Sequence, residues 1–207
     1  MEGGLTASFA AVRLKTNDSG LTTPRIFYII FLEYTIYMTT FVAFLRGINV
    51  GGNTMLSMKD LAAICADIGF KDVSTYINSG NVIFKSTFVE EKLQTKLEKA
   101  LFEKKGKKFD VVIRDASELT KIISNNLFPA ANPSRVGILL FSEPVPKDFT
   151  EGLNDQGPEK VKAGKREVYV YYPNGMGRTK LKLPPSAKRG TVRNMNTITK
   201  LSEKTKK

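Results

Sequence analysis

The sequence predicts an α+β fold of two ferredoxin-like subdomains (α/β plaits), the first with the order βαββαβ. Three observations carry that prediction. Between residues 40 and 114, strand-type and helix-type patterns succeed one another as strand, helix, two strands, helix, strand. After residue 135 the order starts again as strand, short helix and hairpin. The opening stretch TFVAFLR (residues 40–46) is apolar on both faces, as a central strand covered on two sides requires.

Ser57 opens the first helix, with Asp60 at capping-box spacing. Met58, Leu61, Ala62, Cys65 and Ile68 form its apolar face, and Gly69 ends it. Two strands follow around a tight turn. Val73, Thr75 and Ile77 alternate with Ser74, Tyr76 and Asn78, and Ser79-Gly80 turns the chain into NVIFKS. Val89, Leu93, Leu97 and Leu101 mark a second helix that stops near Gly106, and FDVVIR closes the unit. Asp115 starts a third helix with Glu118 as capping partner and Leu119, Ile122 and Ile123 on its apolar face. The second unit reads as the strand RVGILLFS, a short helix after Pro146, and a hairpin of EKVKA and REVYVYYP. Tyr169, Tyr171 and Tyr172 suit sheet packing, with Tyr169 and Tyr171 on one face, and stacking under a nucleic-acid base is the lesser alternative. A last helix is expected over residues 194–203. The subdomains divide at 38–116 and 117–207, the second ending in a basic C-terminal tail.

Residues 1–37 read as a leader outside the fold, with Met38 as the expected start. The apolar run Ile26–Leu45 has the length of a membrane span. Glu33 near its middle and the need for its second half as a strand argue against one.

Composition removes several chemistries. The chain has no histidine, which excludes imidazole general bases, Ser-His-Asp and Cys-His nucleophile systems and nearly every zinc site. A carboxylate magnesium site stays open, and no cofactor is called for. Cys65 is the single cysteine, so no intramolecular disulfide forms; a reducing, cytoplasmic setting follows, and its place on an apolar helix face makes it a core residue. The net charge of +12 is uneven. Arg13, Lys15 and Arg25 balance Glu2, Asp18 and Glu33 in residues 1–37, whereas residues 178–207 carry ten Lys or Arg against Glu203 alone. Such a stretch suits phosphate contacts, and equally suits a solvated, partly disordered end.

Three polar motifs stand at element ends, where binding residues concentrate. LRGINVGGN offers Arg46, Asn49, Gly51, Gly52 and Asn53. Its glycines free backbone N–H groups for an anion, and they also serve a long strand-to-helix turn; neither GxGxxG spacing nor a P-loop Lys is present. TYINSGNVIF offers Asn78, Ser79 and Asn81, which are also ordinary turn formers. TVRNMNT offers Arg193, Asn194, Asn196 and Thr197: a planar fork for phosphate or carboxylate, with Asn194 or Thr191 suited to a helix N-cap.

Together these three motifs resemble those of the bacterial family of domain of unknown function 1697, over about residues 40–203. The resemblance implies a cytosolic protein of two plait-like subdomains and brings no reaction with it. Met195 stands where the family pattern has Trp. The leading functional expectation is a binding protein for an anionic ligand: a nucleotide, a phosphorylated metabolite or nucleic acid. The alternative is an enzyme on a small anionic substrate that works without histidine, with Arg46, Lys59, Asp60 and Arg193 as the nearest charges.

Overall fold

The computed structural model describes residues 38–49, 56–151, 153–154 and 156–206. The expected leader 1–37 lies outside the described residues, as do Gly51, Gly52 and Asn53. Residues Thr39–Lys207 form one compact unit.

The fold is α+β, with two four-stranded antiparallel sheets. The first half runs β1 (Thr39–Leu45), α1 (Met58–Asp67), β2 (Lys71–Tyr76), β3 (Asn81–Ser86), α2 (Glu90–Lys105) and β4 (Val111–Asp115). Its sheet order is β2-β3-β1-β4, which makes β1 an interior strand as its two apolar faces require. Phe41, Ala43 and Leu45 pack with α1 and α2, while Val42 and Phe44 enter a second core.

The second half runs α3 (Ala116–Ser124), β5 (Val136–Leu140), β6 (Lys160–Ala163), β7 (Glu167–Tyr171), β8 (Thr191–Asn194) and α4 (Met195–Lys204). Its order, β6-β7-β5-β8, repeats that of the first sheet. The second core takes one face of each sheet together with α3 and α4: Val42, Phe44, Ile83 and Val112 meet Val136, Ile138, Tyr169, Leu119 and Ile198. The far face of the second sheet carries Leu139, Val168, Val170 and Tyr172 against Phe149 and Leu153. The tyrosine pattern is as expected, and Tyr169 Oη donates to Ile122 O at 3.0 Å across the second core.

The helix caps follow the sequence closely. Ser57 Oγ accepts from Asp60 N, and Asp115 and Glu118 form a reciprocal capping box. Gly106 ends α2 at φ 64°, the left-handed region where a Cβ is costly. Cys65 is buried in the first core, and burial pushes its thiol up to about 12.

Four expectations are corrected. Ile77 is not a strand residue: at φ 50° and 48% exposed it begins the hairpin turn. Val89 is the N-cap of α2 and 71% exposed, because the helix starts one residue later than its spacing suggested. The stretch after Pro146 forms turns rather than a helix. Its bonds are of the i to i+3 kind, such as Phe149 N to Pro146 O at 3.0 Å, and do not propagate. Residues 178–206 are not a solvated tail: β8 pairs with β5, and α4 buries Met195, Ile198 and Leu201.

Among the described residues no helix is long and apolar enough to cross a membrane. The second half of the run Ile26–Leu45 includes β1.

Candidate functional site

The first motif leaves β1 at Arg46, whose backbone N donates to Asp110 O at 2.9 Å. The Arg46 guanidinium reaches the Asp110 carboxylate at 3.1 Å in an exposed pair. Asn49 sits at φ 57°, a conformation that asparagine tolerates. Its side chain fastens the loop: Nδ2 donates to Leu56 O and Asn78 O, and Oδ1 accepts from Leu56 N at 2.9 Å. The first motif is thereby tied to the second.

The hairpin turn ends at Gly80, φ 79°, where a Cβ would stand 2.6 Å from Ile48 Cδ1. Only glycine fits there on both counts. Asn81 is fully buried at the start of β3 and donates to Tyr76 O and Ser79 Oγ. Its Oδ1 accepts from Arg193 Nε at 2.6 Å.

Arg193 is the hub of the three motifs. It projects from β8 and is 8% exposed. One terminal nitrogen donates to Thr191 Oγ1 and Val192 O. The other donates to Leu45 O at 2.8 Å, Ser79 O at 2.7 Å and Gly80 O at 3.3 Å. Every N–H group of the fork thus has a protein acceptor, none of them ionised. Burial without a counter-charge pulls the Arg193 pKa down to about 10. Phe44 lies beneath the guanidinium, 5.7 Å from ring centroid to carbon.

Asn194 is the N-cap of α4, its Oδ1 accepting from Thr197 N and Thr197 Oγ1. Thr191, the other candidate cap, lies within β8. Asn196 is exposed in the first turn of α4, and Met195, in the position of the family's Trp, fills the second core. A Met accommodates itself to such a space without a ring. Asp60 lies in the first turn of α1, its backbone N donating to Ser57 Oγ and its carboxylate 3.4 Å from Lys105 Nζ.

The described residues of the three motifs therefore come together, through Asn49 with Asn78 and through Arg193 with Asn81 and Ser79. The convergence makes a joint between the sheets, in which Arg193, Asn81, Asn194 and Thr197 bond to the protein itself. Arg46, Asn49, Asn78 and Ser79 stay at the surface.

A separate cleft has a volume of about 390 Å³, a size that suits a small molecule. Its lining includes Gln94 and Glu98 of α2, Asp110 and Val111 at the start of β4, Phe141 to Pro144, and Ser186, Lys188 and Arg189 from the 3-10 turn Pro185–Arg189. Glu98 Oε1 accepts from Gln94 Nε2 and from Val111 N, each at 3.0 Å. Lys188, Arg189 and Glu143 form no ion pair among the described residues. Sequence reasoning missed this site, since its residues come from four separate segments. The one link to the motifs is Asp110, partner of Arg46.

A second buried arginine lies elsewhere between the sheets. Arg114 of β4 is 1% exposed and donates to Phe141 O and Arg166 O. Glu90 lies 3.6 Å from it, and Arg166 chelates Glu90 and also bonds to Glu118. Burial lowers the Arg114 pKa, and the neighbouring Arg166 lowers it further, against the opposing pull of Glu118 and Glu90.

Residues 38–169 match the model of a family described as protein of unknown function, DUF1697. A solved structure of a conserved bacterial protein from Streptococcus pneumoniae is similar in fold. Its TM-score is 0.69 at 24% identity, with 83% of this chain and 100% of that one covered. No curated protein matches the chain.

Proposed function

The chain belongs to the DUF1697 family, and on that premise we propose that it is a binding protein for a small anionic ligand held in the cleft. The observation that carries this reading is that Lys188 and Arg189 line the cleft without an ion-pair partner among the described residues. The Ser142 and Ser186 hydroxyls and the Gln94 amide add uncharged donors, and Phe141, Pro144 and Pro146 give an apolar wall. In this reading the three motifs hold the architecture, and Arg46 adjoins the cleft through Asp110. The two sheets are read as ferredoxin-like plaits over 38–116 and 117–207, supported by their matching strand orders. A cytoplasmic location is supported by the single, buried cysteine.

The test is a thermal-shift series on the full chain with inorganic phosphate, nucleotides, sugar phosphates and short oligonucleotides. A small anion should raise Tm, and the double substitution Lys188→Ala, Arg189→Ala should abolish that rise while leaving the unliganded Tm within a few degrees. Stabilisation by oligonucleotides alone, steeply salt-dependent and indifferent to the double substitution, would replace the cleft with a sequence-independent basic surface. A flat response to every compound overturns the reading.

A further inference from the structure

We propose that the ligand of this cleft is a zwitterion: a small molecule with an anionic group at one end and an ammonium group at the other, in the class of amino acids, short peptides and aminoalkyl phosphates. The inference rests on the anionic-ligand reading above and narrows it. The cleft is bipolar. Glu98 and Asp110 come from the α2 and β4 side, Glu143 from the segment after β5, and Lys188 and Arg189 from the turn before β8. None of these carboxylates pairs with either cation. Glu98 bonds only to an amide and a backbone N–H, and Glu143 has no ionic partner among the described residues.

Opposite charges that share a cleft without meeting leave two unmatched complements in one space. An anion alone would satisfy Lys188 and Arg189 while Glu98 and Glu143 repel it, the third carboxylate, Asp110, being already paired with Arg46. A ligand that is only a cation meets the reverse. A molecule bearing both groups satisfies both sets, and the apolar wall of Phe141, Pro144 and Pro146 suits the carbon chain between them. A metal ion is the other natural complement of carboxylates. Among the described residues, however, no group of three or more acidic or thiol side chains is placed to hold one.

The experiment uses calorimetry on the full chain with two matched pairs of probes: phosphoethanolamine against monoethyl phosphate, and L-glutamate against glutarate. Within each pair the ammonium group is the difference. The amine-bearing member should bind at least tenfold more tightly in at least one pair. Glu143→Gln should shrink that ratio severalfold while leaving affinity for the amine-free member unchanged or improved. Lys188→Ala should weaken both members alike. Equal affinity within both pairs overturns the zwitterion and leaves the anionic-ligand reading intact. Failure of all four probes to bind overturns the zwitterion as well, and the broader reading is then decided by the phosphate and nucleotide series.

Discussion

Arg114 and Arg193 hold the two sheets together in opposite directions. Arg114 reaches out of the first sheet to the carbonyls of Phe141 and Arg166, beside β5 and β7. Arg193 reaches out of the second sheet to the carbonyls of Leu45, Ser79 and Gly80, around β1 and the hairpin turn. Both guanidiniums are buried, yet only Arg114 has counter-charges, Glu90 and, through Arg166, Glu118. Arg193 has carbonyls, a hydroxyl and the Asn81 amide. A buried charge is thus tolerated by hydrogen bonds alone when every donor finds an acceptor. The two joints differ in redundancy. The Arg166 pairs with Glu90 and Glu118 would persist without Arg114, whereas among the described residues no second cation supports the joint around Arg193.

The largest effect is expected from Arg193→Met. It leaves buried carbonyls and the Asn81 oxygen without donors, and destabilisation of about 3–5 kcal/mol is expected in urea unfolding. Arg193→Lys should recover little of this, since an ammonium cannot reproduce the planar fork. A loss below about 1 kcal/mol would mean that the joint is dispensable. Asn81→Ala comes next. It removes the acceptor of Arg193 Nε and the donor to Tyr76 O, and should cost about 2 kcal/mol by the same measurement.

Arg114→Met should cost less, about 1–2 kcal/mol, because Arg166 still holds Glu90 and Glu118 and its repulsion from Arg114 is relieved. If it cost as much as Arg193→Met, redundancy would not be what distinguishes the joints. The smallest expected effect is that of salt. The Arg166, Glu90 and Glu118 side chains are 21%, 26% and 29% exposed, so raising NaCl from about 0.1 to 1 M should screen their pairs. The stability difference between Arg166→Ala and the unsubstituted chain should narrow by a few tenths of a kcal/mol. The difference for Arg193→Met should stay constant, since its partners carry no charge.

Chain pattern made the order of elements legible. The apolar faces of β1, the alternation in β7, the caps at Ser57 and Asp115, and Gly106 as a stop are all local signals of period, cap chemistry or backbone freedom. The misplacements also have local causes. Ile77 continued an alternation that the turn interrupts, and Val89 continued a four-residue spacing that starts one residue too early. The role of Met195 was undecidable by pattern, because one residue can fill a core or face a ligand until its neighbours are known.

By itself, the sequence determined that the fold is α+β, that its first half runs strand, helix, strand, strand, helix, strand, and that no histidine-dependent chemistry occurs. It also marked three polar motifs as belonging together. Tertiary structure alone decided what they do: Arg193 and Asn81 stand 112 positions apart in the chain, and their 2.6 Å bond arises only when β8 is brought against the start of β3. It likewise decided that Gln94, Asp110, Ser142 and Lys188 border one cleft. Periodicity and capping act within a few residues and are written into the chain, whereas hydrogen-bond saturation and the pairing of charges across a cleft depend on distances that only packing sets.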